Sequence, residues 1–140
     1  MLRGIDNLLT PDLLHSLASM GHGDRIAIVD ANYPGTSNGK RVHHLPCIEA
    51  GAVLRAVLSV LPLDDFIPDP AVTMQMVGDP DTIPEAVAEF SQILQMHEAP
   101  KPVGIERNAF YEMAKSAYAI VQTGETRLYG NIILSKGVIR

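Results

Sequence analysis

The segment Ile26-Ala27-Ile28-Val29-Asp30 is a short apolar run that ends in a carboxylate. A continuous apolar run of this length, bounded by turn residues, is typical of a strand covered on both faces of a sheet. Asp30 then lies at the carboxyl end of a buried strand, and the turn-rich segment 32–39 follows it. Open α/β sheets bind ligands at such strand ends, so Asp30 is a candidate binding residue, although a carboxylate that caps loop amides fits equally well.

Helical patterns lie on both sides of this strand. Thr10-Pro11-Asp12 offers a hydroxyl cap, a proline at the first helical position and an acid in the first turn, which predicts a helix over 10–20. Gly21 is expected to supply its left-handed stop. Apolar spacing or helical composition predicts further helices over 50–61, around 87–94 and over 108–116.

The remaining short apolar or alternating segments predict strands at 42–45, 72–76, 103–105, 118–122 and 131–134. The alternation within 72–76 predicts one wetter face for that strand. Helices separate most strands, as in parallel sheets, whereas the last two strands are close enough in sequence to run antiparallel. We therefore expect an α/β fold, a single-domain three-layer α/β/α arrangement with a mixed, mostly parallel sheet. Because no linker or repeat divides the chain, residues 1–140 are expected to form one domain.

Composition and charge exclude several classes of partner. The net charge is −5, only 19% of the 140 residues are charged, and no basic run is present. A nucleic-acid partner is therefore not expected, since phosphate backbones require clustered Lys and Arg. The N-terminal segment 1–6 lacks the pattern of a secretory signal, and no apolar run reaches the roughly 20 residues of a membrane span. We expect a cytoplasmic protein with no membrane partner.

Metal and cofactor motifs are also missing from the sequence. His43 and His44 are adjacent in a predicted strand, so they point to opposite faces and cannot chelate one ion together. His15 and His97 lie on predicted helices without a second ligand one turn away. No nucleophile elbow or phosphate-binding loop is present, and Cys47 is the only cysteine. No metal and no cofactor are expected.

His22 is a candidate acid/base group because glycines flank it in Met20-Gly21-His22-Gly23-Asp24. Flanking glycines allow a sharp turn and leave the imidazole uncrowded. Histidine is also the side chain best suited to exchanging protons near neutral pH. The alternative is a surface histidine that interacts with the end of the preceding helix.

Arg107 and the segment Tyr129-Gly130-Asn131 provide groups that suit a polyol. Arg107 follows a predicted strand end, where its guanidinium could bind vicinal hydroxyls, although a salt bridge to Glu106 or Glu112 is the simpler explanation. Together an arginine, a tyrosine ring and an asparagine amide offer donors, a flat apolar face and a two-sided hydrogen-bonding group. These residue types are typical of a site that binds a small sugar.

Four segments in order along the chain resemble the L-fucose mutarotase and D-ribose pyranase family. They are Met20-Gly21-His22-Gly23-Asp24, Asp30-Ala31-Asn32-Tyr33-Pro34, Arg107-Asn108-Ala109-Phe110-Tyr111-Glu112 and Thr123-Gly124-Glu125 through Tyr129-Gly130-Asn131. Arg107-x-x-Phe110-Tyr111 and Tyr129-Gly130-Asn131 resemble the fucose branch. Asn108 is a departure from the fucose branch that the chain resembles, in which an aromatic residue stands at this position. This difference leaves the exact sugar open.

The resemblance implies a function and a set of site residues. It implies an isomerase of carbohydrate metabolism that interconverts the α and β anomers of L-fucose or a related sugar, with His22 as its acid/base group. Asp30, Arg107, Tyr129, Gly130 and Asn131 would bind the substrate. It also implies a homo-oligomer, commonly a decameric ring, with sites near subunit contacts. The alternatives are pyranose–furanose interconversion of the D-ribose pyranase type and a non-catalytic sugar-binding module.

Overall fold

One six-stranded sheet with helices on both faces forms the protein, and the computed structural model describes all of residues 1–140. The helices are α1 (Pro11–Ser19), α2 (Gly35–Asn38), α3 (Ala50–Leu58), α4 (Glu85–Met96) and α5 (Arg107–Ser116). The strands are β1 (Arg25–Val29), β2 (Val42–Leu45), β3 (Ala71–Met74), β4 (Val103–Ile105), β5 (Ala119–Thr123) and β6 (Ile132–Ser135).

The order of strands across the sheet is β2-β5-β1-β6-β3-β4. Strand β6 runs antiparallel to both of its neighbours, β1 and β3, and all other pairs are parallel. The predicted mixed, mostly parallel sheet is therefore confirmed. The last two strands do run in opposite directions as expected, but they are not paired, because β1 lies between them.

Two separate apolar cores cover the two faces of the sheet. Ile26 and Ile28 point into the larger core, which contains side chains of α1, α3 and α4. Ala27 and Val29 point into the smaller core, where Phe110 of α5 packs. All four strand residues are buried, which explains the uninterrupted apolar run. The three-layer α/β/α prediction is confirmed.

Several local predictions need correction. Thr10 caps α1 by accepting a hydrogen bond from Leu13 N (3.2 Å), as predicted, but the helix ends with Met20 in an extended conformation and Gly21 does not supply a left-handed stop. The left-handed residue is Gly23, at φ 84°. In β3 the predicted wetter face is wrong, since Thr73 is only 2% exposed. The reason is that Thr73 lies in an interior strand covered on both faces. In such a strand the alternation of polar and apolar residues does not indicate which face is exposed to solvent.

Helix lengths also differ in detail from the sequence prediction. Helix α3 ends at Leu58, one turn before the predicted boundary. The turn-rich segment after β1 contains the short helix α2 rather than irregular loop alone. None of the helices is sufficiently long and apolar to cross a membrane.

Candidate active site

A cleft of about 190 Å³ opens at the carboxyl end of β1 and brings together most of the predicted substrate-binding residues. Its lining consists of Asp30, Asn32, Tyr33, Met74, Arg107, Tyr111, Leu128, Tyr129 and Asn131. Met74 and Leu128 are apolar, and the other seven residues carry hydrogen-bonding groups. A small concave site with a few convergent polar groups is suited to a small polar ligand.

The direction of β6 explains how residues distant in sequence meet in this cleft. Because β6 is antiparallel to β1 and β3, the start of β6 lies beside the ends of those two strands. Asn131 precedes β6, whereas Asp30 follows β1 and Met74 ends β3. Arg107 follows β4 at the same edge of the sheet. The sheet topology therefore gathers four chain segments at one point.

Asp30 and Asn131 are joined by two hydrogen bonds. The Asp30 amide donates to Asn131 Oδ1 (2.9 Å), and Asn131 Nδ2 donates to Asp30 Oδ2 (3.0 Å). Asp30 Oδ1 accepts from the backbone N–H of Asn32 (3.0 Å), so the loop-capping alternative from the sequence is also realised. A carboxylate offers about four acceptor positions and an amide nitrogen two N–H donors, so both groups keep capacity for a ligand.

Burial dominates the electrostatics of Asp30, which is only 6% exposed. Desolvation raises the pKa of the Asp30 carboxyl above its ordinary value, and the hydrogen bonds from Asn32 and Asn131 act in the opposite direction. No cation is paired with Asp30 in the chain. The carboxylate is therefore held by neutral donors, which leaves its charge available to hydroxyl groups of a ligand.

Arg107 is exposed at the rim of the cleft and forms no salt bridge within the chain. The salt bridges proposed as alternatives from the sequence are absent. Glu106 instead caps α5, with its Oε2 accepting from the backbone N–H groups of Asn108 (2.8 Å) and Ala109 (3.3 Å). The guanidinium of Arg107 is therefore free to bind hydroxyls at the cleft.

Tyr129 has an unusual backbone conformation for a bulky residue, with φ at 61°. Such a conformation costs about 1–3 kcal/mol and persists where the surroundings enforce it, often at functional sites. The Tyr129 hydroxyl accepts from the backbone N–H of Val77 (3.1 Å), which leaves its own proton free to be donated. The ring forms part of the cleft wall.

Gly130 is buried behind the cleft and does not line it. A Cβ atom at this position would lie 2.6 Å from Glu125 Cγ and 3.5 Å from Ala86 Cβ. The side-chain atom that every other residue carries does not fit here. Gly130 thus allows the segment that carries Tyr129 and Asn131 to pack closely on Glu125.

An ion network supports this segment from below. Glu125, 1% exposed, accepts from Arg127 Nε at Oε1 (2.9 Å) and from Arg127 Nη2 at Oε2 (2.8 Å). Arg127 Nη2 also donates to Glu89 of α4 (2.6 Å). The Glu125 carbonyl accepts from the backbone N–H of Ala31, which ties the network to the loop after Asp30. No sequence pattern predicts this network, although Thr123-Gly124-Glu125 belongs to a segment that carries the family resemblance.

Tyr33 and Tyr111 complete the aromatic wall of the cleft, with ring centroids 5.3 Å apart and an edge-on arrangement. Asn38 Nδ2 donates both to the Tyr33 hydroxyl (2.9 Å) and to the Tyr111 carbonyl (3.1 Å). Burial raises the pKa of Tyr33 to about 12. Both tyrosines lay within the segments that carry the resemblance, but residue types alone did not single them out as part of a site.

His22 lies at the other end of β1 and does not line the cleft. Its side chain is 46% exposed, and its Nε2 lies 3.1 Å from Oδ1 of the buried Asp64. The Phe66 ring packs beside the imidazole at a centroid distance of 5.3 Å. His22 thus bonds a carboxylate rather than the end of α1, which was the alternative from the sequence.

Four other concavities are larger than the cleft, and the two largest are chemically different from it. A cavity of about 410 Å³ beside α1 is mostly apolar, with Leu14, Leu17 and Val60 in its wall. A groove of about 490 Å³ separates α4 from the end of β3 and contains no carboxylate. No group of three or more His, Cys, Asp or Glu side chains is placed to hold a metal ion. The cleft at Asp30 differs from both in combining a buried carboxylate, a guanidinium, phenols and an amide, which suit a polyol.

Comparison with known proteins establishes the family. The model of the RbsD / FucU transport protein family matches residues 3–139, and the chain belongs to this family. The family resemblance identified from the sequence is confirmed.

Relatives of known name match along their whole length. A bovine (Bos taurus) protein named fucose mutarotase is 40% identical over 145 aligned positions, which cover 99% of this chain and 95% of the relative. The human (Homo sapiens) fucose mutarotase is 41% identical, covering 99% of this chain and 94% of the relative. The crystal structure of the Streptococcus pneumoniae fucose mutarotase in complex with L-fucose superposes with a TM-score of 0.93, at 38% identity, covering 99% of this chain and 100% of that one.

Proposed function

We propose that this protein is an isomerase that interconverts the α and β anomers of L-fucose. The observation that carries the proposal is the cleft, where a carboxylate, a free guanidinium, a phenol and an amide converge. Full-length relatedness to proteins named fucose mutarotase, one of them solved with L-fucose bound, supports the choice of sugar.

The chemistry of anomer exchange fits the groups that the chain provides. The ring must accept a proton at its oxygen while the anomeric hydroxyl loses one, and the ring closes again after rotation about the C1–C2 bond. Each step is a proton transfer that a positioned side chain can perform, which is worth roughly 10²–10⁴ in rate. No electrons are transferred and no covalent intermediate is needed.

In this proposal Asp30, Arg107 and Asn131 bind the sugar hydroxyls, and the Tyr129 hydroxyl donates a hydrogen bond or shares in proton transfer. A buried polar site rejects sugars with a missing or inverted hydroxyl, because its own groups are then left unpaired. Gly130 contributes through its backbone, since it permits the close packing that places its two neighbours. His22 is the proton shuttle.

The separation of His22 from the cleft leads us to propose a site shared between two copies of the chain. The five residues of β1 span about 16 Å, which exceeds the reach of a monosaccharide. Exposed apolar side chains lie near both places, Phe66 beside His22 and Leu128 at the cleft. His22 of one copy would act on a sugar in the cleft of the next. Repeated head-to-tail contacts of this kind close into a ring, in keeping with the expected decamer.

The direct test is NMR magnetisation exchange between the α and β anomers of L-fucose, with and without the protein. D-ribose, L-rhamnose and D-galactose are measured in parallel. Faster exchange for L-fucose than for the others supports the proposal. Preferred acceleration of D-ribose interconversion would favour the pyranase alternative, and saturable sugar binding without any acceleration would favour a binding module.

A complementation experiment tests the shared site. His22→Ala and Arg107→Ala should each be weakly active alone at low fucose concentration, since each variant lacks one half of the proposed site and keeps the other. When the two variants are co-expressed, about a quarter of head-to-tail contacts in a random ring pair two intact halves. Recovery of about that share of activity supports a shared site. If activity stays at the level of the separate variants while mass measurement shows mixed oligomers, each chain acts alone and the proposal is wrong.

A further inference from the structure

The groove of about 490 Å³ between α4 and the ends of β3 and β4 has a chemistry that anomer exchange does not use. Side chains alternate along β3, so Thr73 shares a face with Ala71 of the larger core, on the side of α4. The side chain of Met74 packs in the smaller core on the opposite face, where the cleft opens. The groove and the cleft are therefore approached from different sides of one strand.

The side chain of Thr73 points to a ligand in this groove. It is only 2% exposed and lines the groove, and its hydroxyl forms no hydrogen bond within the chain. No fully enclosed side-chain nitrogen or oxygen of the protein lacks a partner, so this hydroxyl opens onto the groove and not into the core. A buried hydroxyl without a partner costs about 1–3 kcal/mol, which a bound molecule with an acceptor would relieve.

Lys101 adds a free cation to the rim of the groove. Its side chain is exposed and forms no salt bridge within the chain. The lining contains no carboxylate. Asp79 and Asp81 flank a lining proline but do not line the groove themselves, and Glu85 faces Arg127 at 3.9 Å. The ammonium is therefore available to an anionic group of a ligand.

The amino-terminal end of α4 contributes further donors. Its N-cap residue is Pro84, which has no side-chain hydrogen bond to offer, and the first N–H bound within the chain is that of Ala88, to the Pro84 carbonyl (3.0 Å). The N–H groups of Ala86 and Val87 have no acceptor in the chain, although both residues are buried. Pro84, Val87 and Ala88 line the groove. A helix end with free N–H groups carries partial positive charge and attracts anions.

Hydroxyl and amide groups complete the lining. Ser91 Oγ donates to the Val87 carbonyl (3.1 Å), so its lone pairs stay free to accept. Gln75 Nε2 donates to the Gly104 carbonyl (3.2 Å), which leaves the Gln75 carbonyl oxygen free as well. A ligand that carries hydroxyl groups beside its charge would find partners for both.

We propose that this groove is a second binding site, which takes a small hydroxylated oxyanion such as a sugar acid or a sugar phosphate. Lys101 and the end of α4 face the charged group, and the Thr73 hydroxyl donates a hydrogen bond to it. The side chains of Ser91 and Gln75 accept from the hydroxyls of the ligand. The site stands whether or not the cleft exchanges anomers, because it shares no charged residue with the cleft.

The test follows methyl NMR signals of the full chain during titration with D-gluconate and with D-glucose 6-phosphate. Ile83, Val87 and Ala88 line the groove, and their signals are assigned by single substitutions. We expect saturable shifts of these methyl groups with a Kd of about 1 mM or below, in the absence and in the presence of saturating L-fucose. Leu14, beside the apolar cavity, should not shift. Neutral D-glucose should give no saturable shift.

Four variants connect the shifts to the named groups. Thr73→Val keeps the shape and removes the hydroxyl, and Lys101→Gln removes the charge, so each should raise the Kd roughly 10-fold. Thr73→Met should place a long side chain in the groove and abolish binding. Lys115→Gln removes a cation from the last turn of α5 and should leave the Kd unchanged. Methyl signals away from the groove report whether each variant is folded.

The two anions distinguish the sources of the charged group. A response to D-glucose 6-phosphate alone supports a sugar phosphate, and a response to D-gluconate alone supports a sugar acid. The proposal is wrong if neither anion gives a saturable shift at about 20 mM, or if D-glucose binds equally well. Wild-type affinity in either Thr73→Val or Lys101→Gln would also overturn it. Because the readout needs no turnover, its failure leaves the proposed anomer exchange untouched, and the reverse also holds.

Discussion

His22 and Asp30 lie at opposite ends of one strand, β1, so the proposed proton-exchanging group and the cleft are separated by the length of that strand in a single chain. Both are anchored by side-chain hydrogen bonds, His22 to Asp64 and Asp30 to Asn131. The two halves of the proposed site are each well formed, and neither includes the other. A second copy of the chain is the simplest source of the missing half.

Replacing His22 by alanine should remove most of the anomer-exchange activity. A positioned acid/base group contributes roughly 10²–10⁴ in rate, and the side chain is exposed enough to be lost without disturbing the core. NMR magnetisation exchange with L-fucose measures the effect. His97→Ala, at an exposed helix end, is the matched control and should keep full activity. An unchanged exchange rate in His22→Ala would exclude its role as the shuttle.

Replacing Arg107 by alanine should weaken sugar binding more than it slows the chemical step. The guanidinium has no partner in the chain, so its removal leaves the fold intact and deletes charged hydrogen bonds to hydroxyls, raising KM roughly 10-fold or more. Exchange rates measured over a range of fucose concentrations give KM and kcat separately. Lys115→Ala removes the same charge from the far end of α5 and should change neither constant.

Asp30 should make the stability of the protein depend on pH in an unusual direction. Its pKa is raised in the folded state by burial, so the folded chain binds this proton more readily than the unfolded chain does. As the pH rises from the ordinary value of 3.8 through the raised pKa, the wild type should therefore lose stability relative to Asp30→Asn. Urea unfolding of both proteins between about pH 4 and pH 7 measures this difference.

Asp65 provides a comparison of opposite sign. Its hydrogen bonds to Arg140 hold the pKa of the Asp65 carboxyl below its ordinary value of 3.8. Relative to Asp65→Asn, the wild type should lose any advantage only as the pH falls through that lowered pKa. A stability advantage of the wild type over Asp30→Asn that grows with rising pH, as expected for Asp65, would contradict the assignment of burial as the dominant effect on Asp30.

Arg127→Met should destabilise the fold strongly because it leaves a buried carboxylate without its cation. Glu125 is 1% exposed, and removing one partner of a buried pair costs about 3–5 kcal/mol in the free energy of unfolding. Arg127 also holds the pKa of Glu125 below its ordinary value of 4.5, so the wild-type advantage should be complete above 4.5 and decline as the pH falls through the lowered pKa. Chemical unfolding at neutral and acid pH measures both effects.

The matched control for this substitution is Arg55→Met. Arg55 also binds Glu89 (3.4 Å), but its side chain is 51% exposed, so its loss should cost about 0–1 kcal/mol. Equal destabilisation by the two variants would show that burial of Glu125 does not matter.

The sequence was sufficient for the architecture because the fold depends on patterns that are local. The buried strand at 26–29, the cap at Thr10 and the helical spacing of α3 each follow from a few neighbouring residues, and all three are confirmed in kind. The order of strands across the sheet, in contrast, depends on hydrogen bonding between segments that are far apart in the sequence. The position of β1 between β5 and β6 therefore could not be read from spacing.

The site could be predicted at positions where the residue type and the place of the residue in the sequence both indicated ligand binding. Asp30, Arg107, Tyr129 and Asn131 do line one cleft, as the family resemblance implied, but their binding roles stay predictions. Asp64 was missed because Asp64-Asp65 looks like an ordinary exposed acidic pair, and only the bridge to β6 buries the first of the two. The decameric ring and the cytoplasmic location also stay predictions.

The position of β6 has a consequence for how the chain acquires its structure during synthesis. The three strands β2, β5 and β1 form one block and β3 with β4 another. Strand β6 alone joins the two blocks, although it is the last of these six strands to be synthesised. Until residues 131–135 emerge, the nascent chain holds two sheet fragments with unpaired edges and no complete cleft. Ribosome-bound chains that stop before Asn131 should therefore be sensitive to proteases throughout, and resistance and sugar binding should be gained together in one late step.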